Sequence, residues 1–144
     1  MAAGRLPWTL GLMPLTSPEL DEWADAYIQA HLTPDHPKEG PTYKHPLWWA
    51  VNRFFMISSP AEAEDAWKVI LKIVSRTDAE RVLGVLAAGA LENLIGGWGS
   101  QFIERIESEA SRNPQFRHVL RGVWEGGDAT GKRVAAAKSL DRQA

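Results

Sequence analysis

Pro46-Leu47-Trp48-Trp49-Ala50-Val51-Asn52-Arg53-Phe54-Phe55-Met56-Ile57 is apolar on nearly every side, with Asn52 and Arg53 its only polar members after Pro46. A helix that is apolar all round sits inside a protein rather than on it, so the flanking segments must wrap this one. At 3.6 residues per turn, Leu47, Val51, Phe54 and Phe55 share one face. The rows Trp48-Asn52-Met56 and Trp49-Arg53-Ile57 lie side by side on the other, which makes Asn52 and Arg53 neighbours. An isolated buried charge is too costly to keep. Arg53 therefore reaches water, pairs with a carboxylate such as Asp25 or Glu92, or contributes with Trp48, Trp49 and Asn52 to a tryptophan-rimmed binding groove that awaits an acidic partner. Trp, Tyr and Arg are the usual anchors of such surfaces.

Outward from this stretch the chain reads as helices and capped turns. Residues 1–16 hold two prolines and no clean period, which predicts an extended arm laid on the body through Trp8, Leu10, Leu12 and Met13. Ser17-Pro18 starts a helix whose apolar stripe is Leu20, Trp23, Ala24, Tyr27, Ile28 and His31. Pro34, Pro37, Gly40, Pro41 and Pro46 make the segment from Thr33 to His45 a loop, since prolines so close forbid a helix. The central helix begins near His45.

Downstream, Ser59-Pro60-Ala61-Glu62 and Thr77-Asp78-Ala79-Glu80 are capping boxes. The first opens a stripe of Ala63, Ala66, Trp67, Ile70, Ile73 and Val74. The second precedes four apolar pairs at four-residue intervals, Val82-Leu83 to Leu94-Ile95, interrupted by Gly84 and Gly89. A kink or close backbone packing is expected near Gly89. Gly96-Gly97-Trp98-Gly99 is expected to close this helix, with new helices starting at Ser100 and at Asn113-Pro114. No strand or hairpin signal appears. The fold class is all-α: a compact domain of six or seven short helices over 1–127. The spacing of about 40 residues between Ser59 and Ser100 leaves room for HEAT-like helix-pair stacking. Residues 128–144, rich in alanine and charge, read as a flexible tail.

The totals narrow the function classes. A chain of 144 residues with 44% apolar and 24% charged residues suits one soluble globular domain. A formal net charge of -2 gives no field that would steer it to nucleic acid or anionic lipid. Without cysteine it has neither disulfides nor thiolate chemistry. The N-terminus is a poor signal peptide, broken by Pro7, Thr9 and Pro14, and the sequence offers no run of roughly 20 apolar residues to span a bilayer. A cytoplasmic location is the expectation.

No motif adds up to a reaction. Gly126-Gly127-Asp128-Ala129-Thr130-Gly131-Lys132 covers most of a phosphate-binding loop, but Arg133 stands where the Ser or Thr belongs and no strand precedes it. His31, His36, His45 and His118 lack metal-ligand spacing. Neither a nucleophile elbow nor HExxH is present. Glu104, Glu107 and Glu109 read as a solvated face. Glu92, the one charge among the apolar pairs, is a candidate site residue. Lys132, Arg133, Lys138 and Arg142 are too sparse for a nucleic-acid surface.

Leu86-Ala87-Ala88-Gly89-Ala90-Leu91-Glu92-Asn93-Leu94-Ile95, Phe102-Ile103-Glu104-Arg105-Ile106-Glu107, and Asn113-Pro114-Gln115-Phe116-Arg117 with Leu120 and Val123-Trp124 resemble a widespread bacterial family, a small helical domain of unknown function. His45-Pro46-Leu47-Trp48-Trp49-Ala50 also resembles it, so the likeness runs from His45 to Trp124. A proline is common in that family where this chain has Ala90, and an acidic residue where it has Asn93. The resemblance implies a small helical fold and brings no activity with it. The expected function is a non-catalytic protein-interaction domain of bacterial type: an adaptor, an antitoxin or an immunity-like protein. Its partner is another protein, and self-association is compatible with the same surface. No cofactor or metal is implied. The alternative is an enzyme or small-molecule-binding protein with a pocket lined by Trp48, Trp49 and Arg53. The binding residues expected are Trp48, Trp49, Asn52, Arg53 and Glu92.

Overall fold

The computed structural model describes residues 14–140. Among them all regular structure is helical, apart from one antiparallel bridge between His36 and Gly40. The six helices are α1 (Ser17–Leu32), α2 (Trp48–Asn52, continued by a 3-10 turn Arg53–Phe55), α3 (Pro60–Arg76), α4 (Glu80–Arg112), α5 (Pro114–Leu120) and α6 (Ala129–Lys138). The all-α class is as the periodicity predicts. The chain divides into two compact units between Val82 and Leu83, a division that a reading as one domain over 1–127 does not announce.

In the first unit, Thr16 rather than Ser17 caps α1. Its hydroxyl accepts from the Glu19 N–H at 3.3 Å, and the Glu19 carboxylate takes the Thr16 N–H at 2.8 Å. Leu20, Trp23, Ala24, Tyr27 and Ala30 are buried along α1. Ser59 caps α3 by accepting from the Glu62 N–H, which leaves Pro60 at the first position, where a missing N–H costs nothing. Ala63, Ala66, Ile70 and Ile73 form its inner stripe. On the rim, Asp21 takes Lys72 at 2.8 Å and Arg76 at 2.6 Å, while Asp25 takes Arg76 at 2.8 Å. These pairs sit in partly solvated positions, where each is worth little. Burial of the stripes supplies the driving force.

The arm through Trp8, Leu10, Leu12 and Met13 lies outside the described residues. Of its last residues, Leu15 is buried and donates its N–H to the Asp65 carboxylate at 3.1 Å.

The second unit departs most from expectation. No helix ends at Gly96–Gly99, and none begins at Ser100: α4 runs on to Arg112, 33 residues from Glu80. Leu94, Ile95, Gly99, Phe102, Ile103 and Ile106 keep one buried stripe across the glycines. Glycine costs roughly 1 kcal/mol in a helix interior, which continuous packing of that stripe outweighs. The expected disturbance around Gly89 is present as a π turn over Leu86–Leu91. The Cβ of Ala87 in that turn stands 2.9 Å from where a side chain on Gly122 would begin.

The continuity of α4 also makes it the one candidate span among the described residues. It is long and apolar enough, by length and composition, to cross a bilayer, and half of its most apolar stretch is buried within the protein. A core helix passes the same test.

Residues 129–138 are a helix packed on its unit rather than a flexible tail. Asp128 caps α6 by accepting from the Gly131 N–H at 2.7 Å. Val134 and Ala137 are buried. Arg133 grips Glu107 through two bonds of 2.9 and 2.6 Å, and Lys138 donates to the Glu125 carboxylate and the Val123 carbonyl.

Candidate functional site

The central stretch supplies only a short helix, because Pro41 and Pro46 delay it. Its start is at Trp48, with Leu47 at the N-cap and no side-chain cap. The segment is not buried all round. Ala50, Val51 and Phe54 face the core, whereas Trp48, Trp49, Asn52 and Arg53 are half-buried. Phe54 packs against Trp23, with ring centroids 4.6 Å apart, and edge-on to Tyr27 at 5.3 Å. The Trp23 indole N–H donates to the Ala50 carbonyl at 2.9 Å, which ties α1 to α2.

Phe55, expected with Leu47, Val51 and Phe54 on the inner face, is 53% exposed, and Met56 is 63% exposed. The 3-10 turn is the reason. At three residues per turn each step advances about 120° instead of 100°, so over Arg53–Phe55 the face rotates by roughly 60°. The spacing rule alone could not show this, since the tightening comes at the end of a helix too short to hold its pitch.

Arg53 lays its guanidinium over the Trp23 ring, 4.9 Å from the centroid. It lines a small cleft with Trp23, Ile57, Glu62 and Asp65. The carboxylates sharing that cleft are therefore Glu62 and Asp65. Of the two named from sequence, Asp25 is held by Arg76, and Glu92 accepts the Trp124 N–H at 2.7 Å. Glu92 belongs to the second unit. The Asn52 side-chain amide donates to the Met56 sulfur at 3.1 Å. Trp48 and Trp49 do not line the cleft, whose volume of about 10 Å³ is room for a single water.

The phosphate-loop motif takes another role. At the start of α6 the Asp128 carboxylate occupies the backbone N–H that a phosphate would need, and Glu125 and Gly126 carbonyls crowd Gly131. Of the histidines, His36 accepts the N–H groups of Lys38 and Glu39, and His31 and His45 are buried within the first unit. Among the described residues no three His, Asp or Glu side chains gather as a metal set.

Fold and site together define an all-α protein with an aromatic layer under a short, partly exposed helix. Residues 36–141 match a family of unknown function, DUF6869, and the chain belongs to that family. No curated protein and no solved structure matches it. The matched span begins inside the proline loop and reaches past α6, so the family unit includes the docked C-terminal helix.

Proposed function

We propose that the chain is a non-catalytic protein-interaction domain of bacterial type, an adaptor, antitoxin or immunity-like protein acting in the cytoplasm. The observation that carries this reading is the exposed apolar end of α2, where Phe55 and Met56 follow the half-buried Trp48, Trp49, Asn52 and Arg53. Aromatic and Met side chains in such positions are favoured at partner surfaces. The cleft at Arg53, about 10 Å³, is itself too small to hold a small-molecule ligand, since ligand pockets run to roughly 300–1,000 Å³.

The test is a pull-down from the source cytosol with the full chain and with the double variant Phe55→Ser, Met56→Ser. A partner retained at a fixed ratio by the parent should be lost by the variant, while the urea midpoint stays put. Self-association, followed by sedimentation, is the same surface's other outcome. Equal retention by both chains would overturn the assignment of this surface.

A further inference from the structure

One imidazole closes the proline-rich segment between α1 and α2. His45 is 9% exposed. Its Nε2 lies 2.7 Å from the carbonyl oxygen of Thr33, the residue that ends α1. Its Nδ1 lies 2.9 Å from the backbone nitrogen of Leu47, the N-cap of α2. Leu47 N–H can only donate and the Thr33 carbonyl can only accept. The ring therefore carries its proton on Nε2 and presents a bare Nδ1. One neutral tautomer serves both contacts, whereas an imidazolium has an N–H on each nitrogen and would meet Leu47 donor to donor.

The surrounding charges are few. From α1, His31 is buried with Nδ1 donating to the Tyr27 carbonyl at 3.0 Å. Burial holds its pKa below the usual histidine range, and a charge on His45 would lower it further. Tyr27 stacks on His31 at 4.4 Å, and burial keeps its hydroxyl protonated. In the loop, hydrogen bonds from Thr42 hold the Asp35 carboxylate below the usual range, and a charge on His45 would lower it further. Lys44 lies 5.9 Å from the centroid of the Tyr43 ring, and Arg53, the one charged residue of α2 and its 3-10 turn, lies over Trp23.

We propose that His45 is an acid-released clasp: a proton taken up from water at Nδ1 breaks the Leu47 contact and loosens the N-cap of α2, while Nε2–H stays on Thr33 and the Trp48 N–H stays on the His45 carbonyl at 3.0 Å. Because α2 has no side-chain cap, nothing of its own sequence replaces the lost acceptor at Leu47. The clasp goes beyond the interaction reading and does not depend on it, although α2 is the helix that carries Trp48 and Trp49.

The test is a titration of the full chain from pH 8 to pH 5, with histidine-ring and backbone-amide spectra recorded together. The Nε2–H tautomer is expected at pH 8. The Leu47 amide should follow the His45 ring titration, and its hydrogen exchange, corrected for intrinsic rate, should rise about tenfold relative to Val51. In His45→Asn, the side-chain oxygen can take the N–H two residues on, as in an Asx turn, with no proton to gain. The Leu47 response should then vanish. An Nδ1–H tautomer at pH 8, a Leu47 amide that ignores the ring, or a response that survives in His45→Asn would each overturn the clasp. Should the variant fail to fold, the titration of the parent chain decides alone.

Discussion

At the scale of single residues, Arg53 shows how a charge sits on an otherwise apolar helix. Its guanidinium gains the Trp23 face and a cleft with two carboxylates, so neither a bare buried charge nor a fully solvated one describes it. A partly desolvated cation–π contact contributes about 1–2 kcal/mol. Arg53→Ala should therefore lower the urea midpoint by a stability loss of about that size with an unchanged slope, as measured by chemical denaturation. An unchanged midpoint would leave Arg53 to the partner surface alone. Trp23 is more deeply committed, since it stacks on Phe54 and donates to the Ala50 carbonyl. Trp23→Phe keeps an aromatic ring but loses that hydrogen bond, which should cost roughly 0.5–1.5 kcal/mol in the same measurement. The pairing of Trp23 with α2 was out of reach of the sequence, because a helical stripe tells which residues turn inward and not which they meet.

At the scale of elements, caps and stripes were legible and continuity was not. Ser59 and Asn113 cap their helices as their sequence patterns predict. At Gly96-Gly97-Trp98-Gly99 the local cost of glycine predicts an end, whereas the packed stripe from Leu94 to Ile106 carries α4 through. At α6 the low apolar content predicts a tail, yet Val134 and Ala137 are placed where one helical turn brings both onto the buried face. The glycines separate these effects. A Cβ on Gly97 meets nothing within 4 Å, while one on Gly131 would stand 2.4 Å from the Glu125 carbonyl oxygen. Gly97→Ala should stabilise by about 0.5–1 kcal/mol, as helix propensity dictates. Gly131→Ala, although also in a helix, should destabilise by about 1–3 kcal/mol through overpacking. Thermal melts of the two variants should move in opposite directions. Deleting everything after Gly127 removes the buried Val134, the Arg133–Glu107 grip and the Lys138 contacts. It should lower the melting temperature by about 10 °C, given some 4–8 °C per kcal/mol in a small domain. A melt unchanged by the truncation would show that α6 contributes nothing to its unit.

At the scale of the whole molecule, the two units carry different acid sensitivities. The first holds His31, whose pKa burial presses below its ordinary 6.5. A histidine kept neutral in the fold binds fewer protons there than in the unfolded chain, so stability rises with pH through that window. Its contribution is intact above about pH 6.5 and is lost as pH falls through the depressed folded value. In the second unit the ion-paired carboxylates respond to acid. Its shifted carboxylates are Glu107, held low by Arg133, and Glu125, held low by Lys138. A carboxylate with a depressed folded pKa stabilises above its unfolded value, 4.5 for these two, and loses that as pH drops further. Asp21 and Asp35 add the same later loss to the first unit, from 3.8 downwards. Between about pH 6.5 and 4.5 the first unit should therefore weaken while the second does not. Hydrogen exchange resolved along the chain, corrected for intrinsic rate, reads the two units separately. Protection of α1 and α3 should decline across that window, and protection of α5 and α6 should hold until the carboxylates titrate. His31→Phe, which removes the titrating group and keeps a ring beside Tyr27, should flatten the decline in α1. Equal loss of protection in both units from pH 6.5 would mean that they unfold as one, and would overturn the assignment of acid sensitivity to His31.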